Sequence, residues 1–596
     1  MDANGTLALP VVPPTSEQVF TTVHTEFGHC ANEEYRYTSQ HTPGTEALDH
    51  VEQDPPYYIL LTTYISYLML ICMGHVRDFF GKRAKSAEYR HLMPADGYAP
   101  LNSDFDSFYT RRLKSRIEDC FAVPVTGVAG RTIVVYDRYS NDNHKTQHLT
   151  GTKTRTLNIS SYNYLGFAQA RGGCADAVEE SIRRYGVSAC GHRLDAGTLD
   201  LHLLSEQLVA RFVGMEDSLI SSMGFATNST IIPALVGKGC LVISDEYNHA
   251  SIRVGVRQSG ANVRMFKHND MNALESLLRE VISQGQPKTH RPWKKILIIV
   301  EGLYSMEGTM VNLPAILEMK KKYKFYLFVD EAHSIGAIGP HGRGVCDYFG
   351  VDPRSIDILM GTFTKSFGAA GGYISGSKAI INRLRLRGYS GVYAEAMSPP
   401  VLTQIVASMS SIMGVSPPVP GLSASSSTST IQQTDVVQYS HPGPTPASLL
   451  PTWMNLPRAL ADGSEGSSRL RRLAFNSRYL SRGLRKLGFI VYGNPNSPVI
   501  PLLLFNPGKM GVFWRMMRQR KTPVVVVVVA YPATPLVTSR VRFCVSAAHT
   551  KEDIDTILTA CDEIGDVLDL KVGNAERWPL QRILANATEL VHMEHD

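Results

Sequence analysis

The chain has 596 residues, 43% of them hydrophobic and 19% charged, which is enough to bury more than one core and too apolar for a wholly disordered or fibrous polymer. Sixty Lys and Arg against 54 Asp and Glu leave a formal charge of +6, too mild to point to nucleic acid. Nine scattered cysteines without a C-x-x-C pair suggest neither a disulfide scaffold nor a zinc finger, and favour a reducing compartment.

Residues 1–54 mix acids, Pro and Thr without a period and are expected to form a flexible tail; the opening lacks the basic-then-apolar pattern of a secretory signal. Residues 55–76, PPYYILLTTYISYLMLICMGHV, contain no Asp, Glu, Lys or Arg and would reach about 30 Å as a helix, the thickness of a bilayer core. Tyr57, Tyr58, Tyr64 and Tyr67 dilute the segment, so a spanning helix, an in-plane membrane helix and a buried helix all fit. Glu46, Asp49, Glu52 and Asp54 precede it and Arg77, Lys82, Arg83 and Lys85 follow it; a spanning helix would place its C-terminal flank in the cytosol.

Residues 77–155 read as a connecting region. From about residue 156 apolar runs alternate with longer mixed segments, an α/β rhythm: Leu219 to Ser222, Cys240 to Ser244, Ile296 to Val300, Tyr326 to Asp330 and Ile356 to Met360 read as strands. A larger domain is expected over 156–388, a smaller one over 389–585 and a short tail over 586–596. Residues 415–457 break the composition, with neither Lys nor Arg through most of the segment, and are expected to be a solvent-exposed insertion. The run Val524 to Val529 suits a strand buried on both faces or an interface edge. Two glycosylation sequons, at Asn158 and Asn228, are read as unmodified.

Several strand candidates end in residues able to do chemistry, where sites of α/β sheets commonly lie. Lys365 follows such a run among small residues, a setting for an imine-forming amine; the neighbouring Ser does not make a phosphate loop, because Thr364 stands where that motif requires Gly. In DEAHS, Asp330 could hold a protonated heterocycle or merely cap a helix, and the trio Asp330, Glu331 and His333 is too compact to name as a metal site. His249, in SDEYNHASI, could lie over an aromatic cofactor or simply pack. Gly224 and Phe225 sit in a turn whose amides could meet phosphate oxygens at a helix start.

Taken in order, SYNYLGF, GTLDLH, GFATN, SDEYNHAS, VEGLYSMEG, VDEAHSIGAIGPHGRG, GTFTKSFGAAGGY, SPP and PATPLVTSRVRFCVSAAHT resemble the pyridoxal-phosphate-dependent α-oxoamine synthases, over roughly residues 57–412 and 465–570. The resemblance implies an α/β fold of fold-type I, with a large mixed-sheet domain, a smaller C-terminal α/β domain and an N-terminal membrane helix. It implies pyridoxal 5'-phosphate as cofactor, bound covalently by Lys365. Asp330 would pair with the pyridine nitrogen, His249 would stack on the ring and His333 would contact the ring hydroxyl side. Gly224 and Phe225 match the phosphate-side turn, with Thr362 and Thr364 as further phosphate candidates. Arg542 matches the arginine that holds the amino-acid carboxylate, and Arg540, two residues away on the same strand face, is the alternative. Gly197, Thr198 and His202 match the approach to the site without an assigned role.

The implied reaction is condensation of L-serine with palmitoyl-CoA, with loss of carbon dioxide, to 3-ketosphinganine. The implied partners are a homologous lysine-lacking subunit, small regulatory membrane subunits and the lipid bilayer, with the catalytic body on the cytosolic side of the endoplasmic reticulum. An aminolevulinate-type synthase using another amino acid, and a non-catalytic membrane scaffold, are the competing readings.

Overall fold

The computed structural model describes residues 34–42, 53–84, 89–94, 96–100, 102–112, 114–142, 144, 146–416, 443–531, 533–535 and 537–593. Among the described residues the first helix is Tyr57–Ala84, which runs past the expected 55–76 segment, and a further helix, Asp104–Arg112, packs on its end. Next come β1 (Val125–Thr126), β2 (Thr132–Tyr139) and β3 (His148–Asn158), an antiparallel meander within the expected connecting region.

The central sheet follows: β4 (Asp217–Ser221), β5 (Leu241–Asp245), β6 (Asn262–Phe266), β7 (Ile296–Glu301), β8 (Tyr326–Asp330), β9 (Ile358–Thr362) and β10 (Gly372–Gly376). Their spatial order is β4-β10-β9-β8-β7-β5-β6, parallel except for β10, which runs against both neighbours. Val242, Ile243, Ile298, Ile299, Phe328 and Val329 have lost nearly all contact with solvent, as expected for parallel strands covered by helices on both faces. In register, Glu301 pairs with Asp330 and Asp330 with Met360, which aligns the carboxyl ends of β7, β8 and β9.

Beyond the sheet, β11 (Val415–Ser416) and β12 (Thr445–Pro446) pair in parallel, so the described part of the expected insertion is folded, with Thr445 and Met454 buried. Residues 417–442 of that segment lie outside the described residues. The C-terminal sheet consists of β13 (Val499–Phe505), β15 (Val527–Val529) and β16 (Ser539–Cys544), in the order β13-β16-β15, and β14 (Val524–Val525) lies just before β15 in the chain. The valine run divides in two: β14 extends the meander in parallel with β3, and β15 pairs antiparallel with β16 beside β13. Valines suit both halves: Val524 and Val528 bury in the same main core, while Val525 packs with Ile133 and Val135 of the meander.

Both terminal segments are partly packed. Residues 34–42, within the expected tail, run over the body: the Tyr37 amide donates to the Arg471 carbonyl at 3.0 Å and the His41 amide to the Tyr348 carbonyl at 3.0 Å. The Arg478 guanidinium lies 4.3 Å from the Tyr37 ring centre. At the other end, a helix over Ala587–His592 buries Leu590 and Val591, and Arg478 donates to the Val591 carbonyl at 2.8 Å. Both sequon asparagines are buried, and the Asn158 amide donates to the Gly130 carbonyl at 2.9 Å.

Candidate active site

The groups that sequence reasoning singled out come from five places in the chain and converge beyond the carboxyl ends of the central strands. β8 delivers Asp330, which is buried. Its Oδ1 accepts the Ala332 amide at 2.9 Å and its Oδ2 accepts Asn228 Nδ2 at 2.7 Å. Asn228 rides on the Gly224–Leu235 helix and also donates to Ser251 Oγ at 3.0 Å, while its Oδ1 is buried without a partner. One amide therefore joins the Asp330 strand end to the helix that follows His249. In the sequence Asn228 stood in a sequon and at the end of the GFATN motif, with no role assigned to it.

His249 comes after β5 and caps the Ala250–Ser259 helix, its Nδ1 accepting the Ser251 amide at 3.2 Å. The preceding Asn248 fixes the turn by donating to the Ile299 carbonyl at 2.7 Å and to Ser244 Oγ at 2.8 Å. The His249 amide donates to Glu301, a buried carboxyl at the end of β7. Burial, with Asp330 close by, holds Glu301 well above the usual carboxylate range, so it favours the protonated acid. Desolvation lowers the His249 pKa against the pull of Asp330.

Three residues past Asp330, His333 is buried, and its Nδ1 shares a 2.8 Å hydrogen bond with the Tyr164 hydroxyl. The Tyr162 ring meets His333 edge-on at 5.3 Å. Burial, with Lys365 and Arg542 nearby, pushes the imidazole pKa well down, so His333 stays neutral. Tyr162 and Tyr164 stand in the SYNYLGF segment, which carried the family resemblance but had been given no role; their hydroxyls and rings were the available signal.

Lys365 sits in the loop between β9 and β10. Its Nζ donates to Thr362 Oγ1 at 3.3 Å and lies 5.7 Å from the Tyr162 ring centre. Desolvation brings its pKa down to about 8, although Asp330 opposes the shift. A lysine in that range keeps a useful fraction of free amine near neutrality. Gly224 opens its helix against Thr362: a Cβ there would lie 3.0 Å from Thr362 Cγ2. Thr362 is buried, whereas Thr364 and the Phe225 ring are exposed, Phe225 meeting His249 edge-on at 6.1 Å.

The two arginines of β16 differ. Arg540 is spent on the protein: it donates to the Thr538 carbonyl at 3.0 Å, to Thr538 Oγ1 at 3.1 Å and to the Met306 carbonyl at 2.8 Å, and lies 3.6 Å from Glu307. Arg542 lies 4.8 Å from the Tyr162 ring centre, meets Met306 Sδ at 3.7 Å and keeps a buried Nε without a hydrogen-bond partner. His202 is not brought into this group; its Nδ1 accepts the Leu199 amide at 3.0 Å and caps its own helix.

These residues fit pyridoxal phosphate. A helix N-terminus closed in by Gly224 and Thr362 offers amides to a phosphate, and the same helix, through Asn228, holds the buried Asp330 carboxylate. Lys365 adds an amine with one long hydrogen bond, and Arg542 a cation with a donor to spare.

Comparison with known proteins agrees. The family described as aminotransferase class I and II matches residues 154–412 and 438–560. Serine palmitoyltransferase 2 of Schizosaccharomyces pombe is 52% identical over 546 residues, covering 92% of this chain and 83% of the relative. Serine palmitoyltransferase 2 of Saccharomyces cerevisiae is 51% identical over 563 residues, covering 93% and 92%. A solved serine palmitoyltransferase from S. paucimobilis with bound PLP-myriocin aldimine superimposes with a TM-score of 0.60 at 25% identity, covering 78% of this chain and 97% of that one. The chain therefore belongs to the class I and II aminotransferase family, within its serine palmitoyltransferase 2 group.

Proposed function

We propose that this chain is the lysine-bearing catalytic subunit of a serine C-palmitoyltransferase, a pyridoxal-phosphate-dependent acyltransferase. It condenses L-serine with palmitoyl-CoA to 3-ketosphinganine, releasing CoA and carbon dioxide, at the start of sphingolipid synthesis. The observation that carries this reading is the convergence of Lys365, Asp330, His249 and Arg542 at one end of the central sheet.

When bound, the cofactor supplies an electron sink next to the amino acid's α-carbon. The chain's own groups do the rest. Lys365 Nζ would hold the cofactor covalently and, once the amino acid's own amine had displaced it, would be the free base that takes and returns the α proton, a role suited to an amine with a pKa of about 8. Asp330, locked by Asn228 and the Ala332 amide, presents a fixed negative charge to a ring nitrogen. His249 limits the ring's tilt, and neutral His333 offers a hydrogen bond on the hydroxyl side. Gly224 and Thr362 line the phosphate end, with Phe225 and Thr364 at its exposed rim. Arg542 is assigned to the serine carboxylate, because Arg540 has its donors occupied.

The domain limits proposed are a large cofactor-binding domain over 156–388 and a small domain over 389–585. A homologous lysine-lacking subunit is proposed to complete the site. Met223 and Phe225 at its rim, and Leu386 and Tyr393 on helices packed against the same Gly224–Leu235 helix, support this by leaving apolar side chains exposed. Small regulatory membrane subunits, and residence at the endoplasmic reticulum membrane with a cytosolic body, complete the proposal. Product analysis with serine, glycine or alanine and palmitoyl-CoA, with and without the lysine-lacking homologue, tests it. Serine-dependent 3-ketosphinganine that disappears with Lys365→Ala is the expected result; an aminoketone made from glycine instead would overturn it.

A further inference from the structure

We propose that Asp245, His268 and Thr309 form a positioning relay for the amino-acid carboxylate: they hold a tight hairpin over residues 303–310 against β16, and through Met306 at its tip they fix Arg542. The relay rests on the reading above, in which Arg542 takes the serine carboxylate.

The relay starts at the carboxyl end of β5, where Asp245 is buried. Its two oxygens face Nδ1 of His268, just past the end of β6, at 3.1 and 3.0 Å. On the other side of the ring, His268 Nε2 meets Thr309 Oγ1 at 2.7 Å. With Nδ1–H donating to the carboxylate, the neutral imidazole keeps only an acceptor at Nε2, so the Thr309 hydroxyl donates. An acid, an imidazole and a hydroxyl in line also describe a hydrolytic triad. Thr309, however, is only 1% exposed, and the Tyr304 and Tyr247 rings lie 4.3 and 4.8 Å from the His268 ring, so a substrate carbonyl has no approach to the hydroxyl. What the three groups do is hold a loop in place.

That loop is rigid and fastened on two sides. The Tyr304 amide donates to the Thr309 carbonyl at 2.9 Å and the Gly308 amide to the Tyr304 carbonyl at 2.8 Å, which closes the hairpin. Asn269, next to His268, donates from Nδ2 to the Met310 carbonyl at 2.8 Å and so ties down the same stem. Toward the C-terminal sheet, the Asn494 amide donates to the Gly308 carbonyl at 2.9 Å. A Cβ on Gly308 would lie 2.6 Å from the Val499 carbonyl oxygen, so only glycine allows this approach to β13. Met306 sits between the two anchorages. Its carbonyl accepts Arg540 Nη1 at 2.8 Å, and its Sδ meets Arg542 Nη1 at 3.7 Å. Arg540 therefore pins the tip to β16, and Arg542, whose buried Nε has no hydrogen-bond partner, leans on it. A hairpin released at Thr309 would let the Arg542 guanidinium drift from the place where a carboxylate meets both of its prongs.

The test titrates L-serine into the cofactor-loaded complex of the full chain with its lysine-lacking partner, following the absorbance of the bound cofactor, with steady-state kinetics alongside. Thr309→Val keeps the shape and removes the hydroxyl. It should weaken serine binding at least fivefold, while the palmitoyl-CoA KM and the absorbance before serine is added stay unchanged. Thr309→Ser, which keeps the hydroxyl, should bind serine within twofold of the wild type. In an Arg542→Lys background, Thr309→Val should change serine binding less than twofold, because the relay acts through the group already altered. A Thr309→Val protein that binds serine like the wild type, or an effect fully additive with Arg542→Lys, would overturn the proposal. If Thr309→Val fails to fold or to hold the cofactor, Met306→Ala reads the same contact from the half-buried tip; weakened serine binding supports the relay, and unchanged binding overturns it. A wild type whose absorbance ignores serine defeats the functional reading and this proposal with it, whereas a responsive wild type beside an unaffected Thr309→Val defeats this proposal alone.

Discussion

Lys365 illustrates how one residue's surroundings set its chemistry. Attack on an aldehyde needs the free amine, and the folded-state pKa of about 8 lies below the ordinary lysine value of 10.5. The free fraction therefore rises about tenfold per pH unit up to roughly 8 and levels off above it. Stopped-flow absorbance on apoprotein mixed with pyridoxal phosphate should show a capture rate that climbs from pH 6 to 8 and then flattens. A rate still climbing at pH 10 would mean the amine is not desolvated. The arginine pair yields a second expectation. Arg542→Lys, which loses a planar two-pronged donor, should raise the serine KM by about tenfold or more, in line with the loss of a charge-assisted hydrogen bond of roughly 1.5–3 kcal/mol. Arg540→Lys should instead lower the melting temperature, because it breaks contacts to Thr538 and Met306. Steady-state kinetics beside thermal melting of both variants separates the roles.

At the scale of elements, the Tyr57–Ala84 helix is held at its far end by charge inside an apolar setting. Asp78 is buried and takes hydrogen bonds from both Arg111 and Arg112, the Arg111 contact at 2.7 Å. Asp78→Asn keeps the shape and removes the charge, leaving Arg112 without this anion and Arg111 with Asp104 alone, at a cost of about 1–3 kcal/mol. Hydrogen exchange across residues 104–112 should accelerate in this variant, while exchange in the central sheet stays unchanged. The sequence made some of this architecture legible and not the rest. Strands β5, β7, β8 and β9 announced themselves because they are buried on both faces, and both faces had to be apolar. β6 and β10 escaped because Asn262 to Met265 are exposed at the sheet edge and β10 has only Tyr373 and Ile374 between Gly372, Ser375 and Gly376, so neither makes a long apolar run. Lys365, Asp330 and His249 were readable because motifs surround them. Asn228 was not, because its role comes from a helix brought against a strand end 102 residues away. The choice between Arg540 and Arg542 was likewise closed to the sequence: both sit on one strand face, and only their neighbours differ.

For the whole molecule, the divided valine run has a consequence for how the protein is made. Val524 and Val525 supply the edge that pairs with Leu157 and Asn158, so the first sheet to leave the ribosome is finished by residues synthesised about 370 positions later. At an elongation rate of about 5–20 residues per second, that edge stays open for roughly 20 to 70 seconds. An open strand edge is a template for pairing with the wrong chain. Nascent chains halted after residue 523 should therefore aggregate or be retained by chaperones, and chains released after residue 545, with β14 to β16 complete, should show less of either when sedimented from a translation extract. Equal sedimentation of the two would mean that the meander is protected by other means. In the living cell the order of synthesis then gives about the last eighth of the chain a guardian's part: until it arrives, the enzyme's oldest sheet is a sticky intermediate that the folding machinery must shelter.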